Sequence, residues 1–339
     1  MDPSSVSPGS PPDDSAKTET APLVAATVAP DLSPPLMHNF FVGPDGLRPG
    51  WRALLFLLSS RAIYAVLGLL LPHIPLTGIK LEMVAELGLF ISAWLPGLVF
   101  ARAEGRTIGA YGLPARSAFG KMFWLGGAWG IASISLLLGA MSLFHAFDYG
   151  SIVLSPVRIL KFAIFWGVFF VIVALYEEFL TRGYTLFTLT SGTGFWLAST
   201  ILSTYFAVIH LWNPDESALG IGAVFVIGMF FCFTLRRTGT LWFAVGFHAT
   251  WDWGESFLYS VPDSGTISPG HLLHSSFHGP VWVTGGKTGP EGSVLVFALF
   301  VVVALAFHRA YPTVRYPVIG DSPPEGTTAD SSLTTEQQN

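Results

Sequence analysis

Eight apolar stretches of roughly 20 residues, near 51–71, 82–102, 122–145, 160–188, 195–212, 217–235, 240–260 and 291–311, leave this chain one class of architecture. At about 1.5 Å per residue each is long enough to cross about 30 Å of hydrocarbon as a helix. Lipid offers no partner to backbone amides, so a spanning segment must bond internally. Only 12% of residues are charged, about half the usage of a soluble domain, and the mean hydropathy is +0.55. The reading is all-α: a polytopic membrane helical bundle of about eight transmembrane helices.

The connections are short except 261–290, whose Gly, Pro, Ser and His content predicts an irregular loop over one mouth of the bundle. Residues 1–40 are rich in Pro, Ser, Asp and Thr without the charged and apolar regions of a signal peptide, and 316–339 are similar. Both are expected to be disordered tails around a membrane domain at 41–315. The net charge of −5 comes without any Lys/Arg run, which argues against nucleic acid and leaves the lipid bilayer as the first partner. Cys232 is the only cysteine, so there is neither an intrachain disulfide nor a Cys-based metal site. Arg48, Arg52, Arg102, Arg106, Arg116, Lys121, Arg236, Arg237, Arg309 and Arg315 fall on one side, and Lys80, Arg158, Lys161 and Lys287 on the other. That excess places both termini in the cytoplasm, and the plasma (inner) membrane is the location if the source is bacterial.

Against this background Glu177, Glu178 and Arg182 stand out inside the fourth apolar stretch. An ionisable group at the bilayer centre costs about 2.5–3.5 kcal/mol on insertion scales, so three together call for partners, a wet cavity or chemistry. Glu178 and Arg182 are four apart, the favourable orientation for an ion pair, while Glu177 is turned about 100° away. Glu177 is then free to bind a water or a metal. Phe206 with His210, and His248 with Asp252, repeat the four-residue spacing on the fifth and seventh stretches, and Glu255 continues the His248 face. Measured from the loops beside them, Glu177, His210, His248 and Asp252 lie at depths of roughly 21, 24, 14 and 20 Å, compatible with one cavity if the helices are neighbours.

EExxxR (Glu177, Glu178, Arg182), FxxxH (Phe206, His210) and HxxxN/D (His248, Asp252), in this order on successive helices, resemble the CPBP intramembrane protease family, which includes type II CAAX prenyl endopeptidases and Abi proteins. The loop GPVWVTGGKTGPEGS and the segment GLRPGWR are similar to bacterial members. The resemblance covers about 160–260 and implies an enzyme, a CAAX-type intramembrane endopeptidase with its site between the fourth, fifth and seventh helices. In the family the first glutamate and first histidine activate water, and the second histidine stabilises the oxyanion with an Asn. Here Asp252 takes that place. An ionised Asp donates no hydrogen bond, so Asp252 is expected to orient His248, leaving His248 as the oxyanion donor.

The expected catalytic set is therefore Glu177, His210, His248 and Asp252, supported by Glu178, Arg182 and Phe206. It would hydrolyse a membrane-associated or lipidated peptide or protein by glutamate-activated water. No cofactor is required, but Glu177, His210 and His248 are legitimate zinc ligands with a fourth position for water, so a metal-dependent version stays open. A proton- or ion-coupled transporter and an inactive immunity or regulatory scaffold are the alternatives. HExxH, GxSG and a GxGD within a helix are absent. Glu255, Glu82, Glu86 and Arg61 receive no role. His271, His274 and His278, spaced for one helical face, are read as a solvated cluster because their loop is rich in Gly and Pro.

Overall fold

The computed structural model describes residues 40–44 and 46–316. The expected tails lie outside these residues apart from Phe40 and Tyr316. Tyr316 is part of the bundle rather than of a tail: its ring lies 4.2 Å from that of Phe187, and its amide bonds the Arg236 carbonyl. Among the described residues, the helices of ten residues or more are α1 (Pro49–Gly68), α2 (Ile79–Ala103), α3 (Lys121–Leu143), α4 (Pro156–Arg182), α5 (Tyr184–Thr193), α6 (Phe195–Ile209), α7 (Ala218–Thr238), α8 (Trp242–Trp253) and α9 (Val294–Ala310). Leu58, Val66, Val99, Leu136 and Val301 are exposed on them, the surface that lipid requires.

Among the described residues, six helical segments are long and apolar enough to cross a membrane, two fewer than the eight stretches predicted. The difference lies in the seventh and eighth. α8 is only 12 residues long and continues as a π-helical turn at Gly254–Tyr259. It is enclosed on nearly all sides, with Phe243, Ala244, Val245 and Phe247 fully buried, so its hydrophobicity meets protein rather than lipid. α9 has 17 residues. The fourth stretch is also not one helix. It breaks at Gly183, so Arg182 closes α4 and Glu177 sits less than two turns from that break instead of mid-helix.

α3 packs on α8 more extensively than any other pair. Small residues permit the approach: a Cβ on Gly126 would lie 2.0 Å from the Phe243 carbonyl oxygen, one on Gly130 2.2 Å from that of Phe247, and one on Gly246 2.0 Å from that of Phe123. This is the small-xxx-small packing of membrane helices, and Thr250 adds a hydrogen bond to the Gly127 carbonyl at 2.8 Å. Because α8 carries His248, the contact also sets the depth of that ring. Gly246→Leu is expected to destabilise the bundle by about 1–3 kcal/mol or more, as overpacking does. Thermal unfolding in detergent checks this; an unchanged midpoint would mean that α8 is free to move.

The two ends of the bundle differ. At the arginine-rich end, Glu104 accepts hydrogen bonds from Arg52 (3.1 Å), Tyr111 (2.6 Å) and Tyr184 (2.6 Å), tying α1, α2 and α5 together. At the opposite end the segment 261–290 folds back across the mouth. The His274 amide bonds the Ser151 carbonyl at 2.9 Å, the Trp166 indole bonds the Pro269 carbonyl at 3.1 Å, and Thr288 bonds the Asp215 carbonyl at 2.9 Å. Residues Phe147–Asp148 and Ser276–Phe277 pair as short antiparallel strands. His271, His274 and His278 therefore share no helical face: His271 faces the Ser268 carbonyl, His278 faces the Ser276 hydroxyl, and His274 is exposed.

Candidate active site

Arg182 anchors the site. Its side chain is 1% exposed and lies between the rings of Phe206 (4.6 Å) and Phe231 (5.4 Å). Nη1 donates to Glu178 Oε1 at 2.7 Å and to Thr181 Oγ1 at 3.0 Å, and Nε to the Gly228 carbonyl at 3.2 Å. Gly228 is needed there, since a Cβ would come within 2.8 Å of the guanidinium. Phe206 is thus more than filler. Its face meets the cation of Arg182, and its edge meets the His210 ring at 4.6 Å.

Glu178, fully buried, uses Oε1 twice: it accepts from Arg182 and faces His248 Nδ1 at 3.1 Å. The other ring nitrogen, Nε2, is 3.4 Å from Asp252 Oδ2 and 3.6 Å from Glu177 Oε2. The principal orienting partner of His248 is therefore Glu178, with Asp252 sharing Nε2. Sequence spacing could not distinguish these two, because Glu178 reaches the ring from another helix. Phe231, which the sequence reading did not single out, stacks on His248 at 5.6 Å and holds the ring plane.

Glu177, His210, His248 and Asp252 line one cavity of about 310 Å³. α4 supplies Glu177, α8 supplies His248 and Asp252, and His210 stands in the 3₁₀ turn that ends α6. His210 Nδ1 lies 2.7 Å from the Phe206 carbonyl. A carbonyl only accepts, so Nδ1 carries the proton and Nε2 of the neutral ring keeps its lone pair. Glu177 is half-buried, and among the described residues its one ion-pair contact is the long one to His248. The cavity continues past Asn213 to Asp263, Ser264, Ser268 and Glu291, so its polar mouth is at the loop-covered end, away from the arginine-rich one.

Glu177, His210 and His248, the residues that could hold a zinc ion, all line the cavity. Among the described residues, the His, Cys, Asp and Glu side chains whose ligand atoms gather within 4.8 Å are Glu255, Asp263 and Glu291, not Glu177, His210 and His248. Glu255 leaves the His248 face because the π-helical turn begins at Gly254. Glu86 of α2, unassigned from sequence, is close enough to interact electrostatically with Glu177 and Asp252. Burial, then the carboxylates of Asp252 and Glu291, hold the Asp263 carboxyl well above its ordinary range.

A buried Glu–Arg pair, a histidine bonded to it and a second glutamate facing a cavity come together within one membrane bundle. Residues 159–254, running from α4 to the residue after α8, match the family model described as type II CAAX prenyl endopeptidase Rce1-like, so this stretch is similar to that protease family. No curated protein and no solved structure matches the chain.

Proposed function

We propose that the protein is an intramembrane endopeptidase in which Glu177 activates the attacking water. The observation that carries this is the division between the adjacent glutamates. Glu178 is committed to Arg182 and His248, whereas Glu177 presents its carboxylate to the cavity that His210 also lines. Water between Glu177 and the free Nε2 of His210 gives up a proton to Glu177 as its oxygen bonds the scissile carbonyl carbon. The proton then passes from Glu177 to the amide nitrogen as the C–N bond breaks. His248, as an imidazolium with Nδ1–H on Glu178 and a second proton on Nε2, stabilises the tetrahedral oxyanion through Nε2–H. Its carboxylate contacts at 3.4 and 3.6 Å exceed ordinary hydrogen-bond length, so a substrate oxygen can take the donor. Asp252 holds that ring within reach.

The substrate is a membrane-associated or lipidated peptide or protein. It reaches the site through the loop-covered mouth, where the cavity's polar lining lies, or sideways from the bilayer. The excess of Lys/Arg on the arginine-rich side supports a cytoplasmic assignment for that side and, with it, for both termini.

Cleavage of a quenched peptide library by the purified protein in detergent tests the reading, with wild type beside Glu177→Ala and a chelator in a parallel arm. Cleavage lost in Glu177→Ala but retained with chelator is the expected result. Loss in both, restored by zinc, would instead support the metal-dependent version with Glu177, His210 and His248 as ligands. Undiminished cleavage by Glu177→Ala would sink the mechanism, and an inactive wild type would favour the transporter or scaffold alternatives.

A further inference from the structure

A second acidic cluster lies at the mouth of the cavity and takes no part in the chemistry above. Glu255 comes from the π-helical turn after α8, Asp263 from the tight turn closed by its bond with Thr266, and Glu291 from the 3₁₀ turn before α9. Ligand oxygens of all three lie within 4.8 Å of one another. Glu291 accepts from the Trp251 indole (3.2 Å), the Ser264 amide (3.2 Å) and the Ser264 hydroxyl (2.5 Å), and Asp263 accepts from the Ser256 hydroxyl (3.2 Å). Glu255 is different. It is fully buried, and neither of its carboxylate oxygens has a partner in hydrogen-bond geometry; the Trp251 indole lies close to it but bonds Glu291. Among the described residues, no lysine, arginine or histidine forms an ion pair with any of the three.

Burying a carboxylate with both oxygens unsatisfied, beside two more acids, is among the most costly arrangements in a folded chain, and a cation at the centre removes the cost. We propose that Glu255, Asp263 and Glu291 form a divalent-cation site, selective for calcium. The donors are all carboxylate oxygens, which suit a hard cation and not a soft one. Calcium accepts six to eight oxygens at about 2.3–2.6 Å from mono- and bidentate carboxylates, and tolerates an irregular shell that magnesium does not. The hydroxyls of Ser256 and Ser264, with water, can complete it. The ion clamps the 261–290 loop to α8 and α9 and, because Asp263, Ser264 and Glu291 line the cavity, fixes the shape of its mouth.

The test is terbium binding by the full-length protein in detergent after treatment with EGTA. Trp251 bonds Glu291, so excitation of tryptophan should sensitise the emission of a terbium ion held there. The expected result is saturable emission that calcium displaces at far lower concentration than magnesium. Glu255→Gln and Asp263→Asn should each weaken binding at least tenfold, and Glu177→Gln should leave it unchanged. Calcium should also raise the unfolding temperature of wild type and not of Asp263→Asn, which keeps the test decisive if Glu255→Gln does not fold. Absence of saturable binding by wild type would overturn the proposal in favour of a protonated cluster. So would binding that survives Glu255→Gln and Asp263→Asn but is lost in Glu177→Gln. The readout is binding, so it stands apart from whether the protein cleaves peptides.

Discussion

Replacing Glu177 with Gln should reduce kcat/KM for peptide cleavage by about 10²–10⁴-fold, the contribution of a positioned general acid or base. The amide keeps the shape and cannot accept the proton of water. The fold should hardly notice, because Glu177 is half-buried and its one ion-pair contact among the described residues is 3.6 Å long. Unfolding temperature and kcat/KM measured on the same preparation separate the effects. A variant equally stable and nearly inactive is the expected outcome, and one that retains a third of wild-type activity would remove Glu177 from the chemistry. The neighbouring change gives the contrast. Glu178→Gln should weaken both stability and activity, since it loosens Arg182 and His248 together.

Arg182→Met should cost about 3–5 kcal/mol of stability, the usual effect of removing one partner from a buried ion pair. Glu178 is fully buried and one of its oxygens already lacks a partner, so without Arg182 its charge would face only His248. Removing both charges in Glu178→Gln/Arg182→Met should recover much of the loss, because the penalty comes from the orphaned charge rather than from the absent bond. The double variant should nevertheless stay poorly active, with His248 released from its acceptor. Unfolding of wild type, both single variants and the double variant forms the cycle. A single Arg182→Met effect near 1 kcal/mol, the centre of ordinary point-mutant effects, would show that the pair is not the keystone its burial suggests.

Much of the site was legible before any helix was placed. Glu177, Glu178, Arg182, His210, His248 and Asp252 are conspicuous because charge in an apolar run is costly, and four-residue spacing shows which side chains share a helical face. The same reasoning could not tell a lipid-facing apolar helix from an enclosed one. α8 therefore reads as a spanning segment although protein surrounds it on nearly all sides. Nor could it foresee the break at Gly183, which moves Glu177 from mid-helix to near a helix end. Glu82, Glu86 and Glu255 were noticed and left without a role, while Asp263 and Glu291 passed unremarked because acids in polar loops are common.

The amino-acid sequence by itself determined that this is a membrane helical bundle carrying buried ionisable residues, because hydrophobic length and periodicity are local properties. Only the tertiary structure decided which carboxylate holds which histidine. Glu178 meets His248 across α4 and α8, Phe231 of α7 sets the ring plane, and three acids far apart in the chain converge at the mouth. Those are contacts between helices. They depend on how closely Gly126, Gly130 and Gly246 let α3 and α8 approach, and no spacing along a single helix encodes that distance.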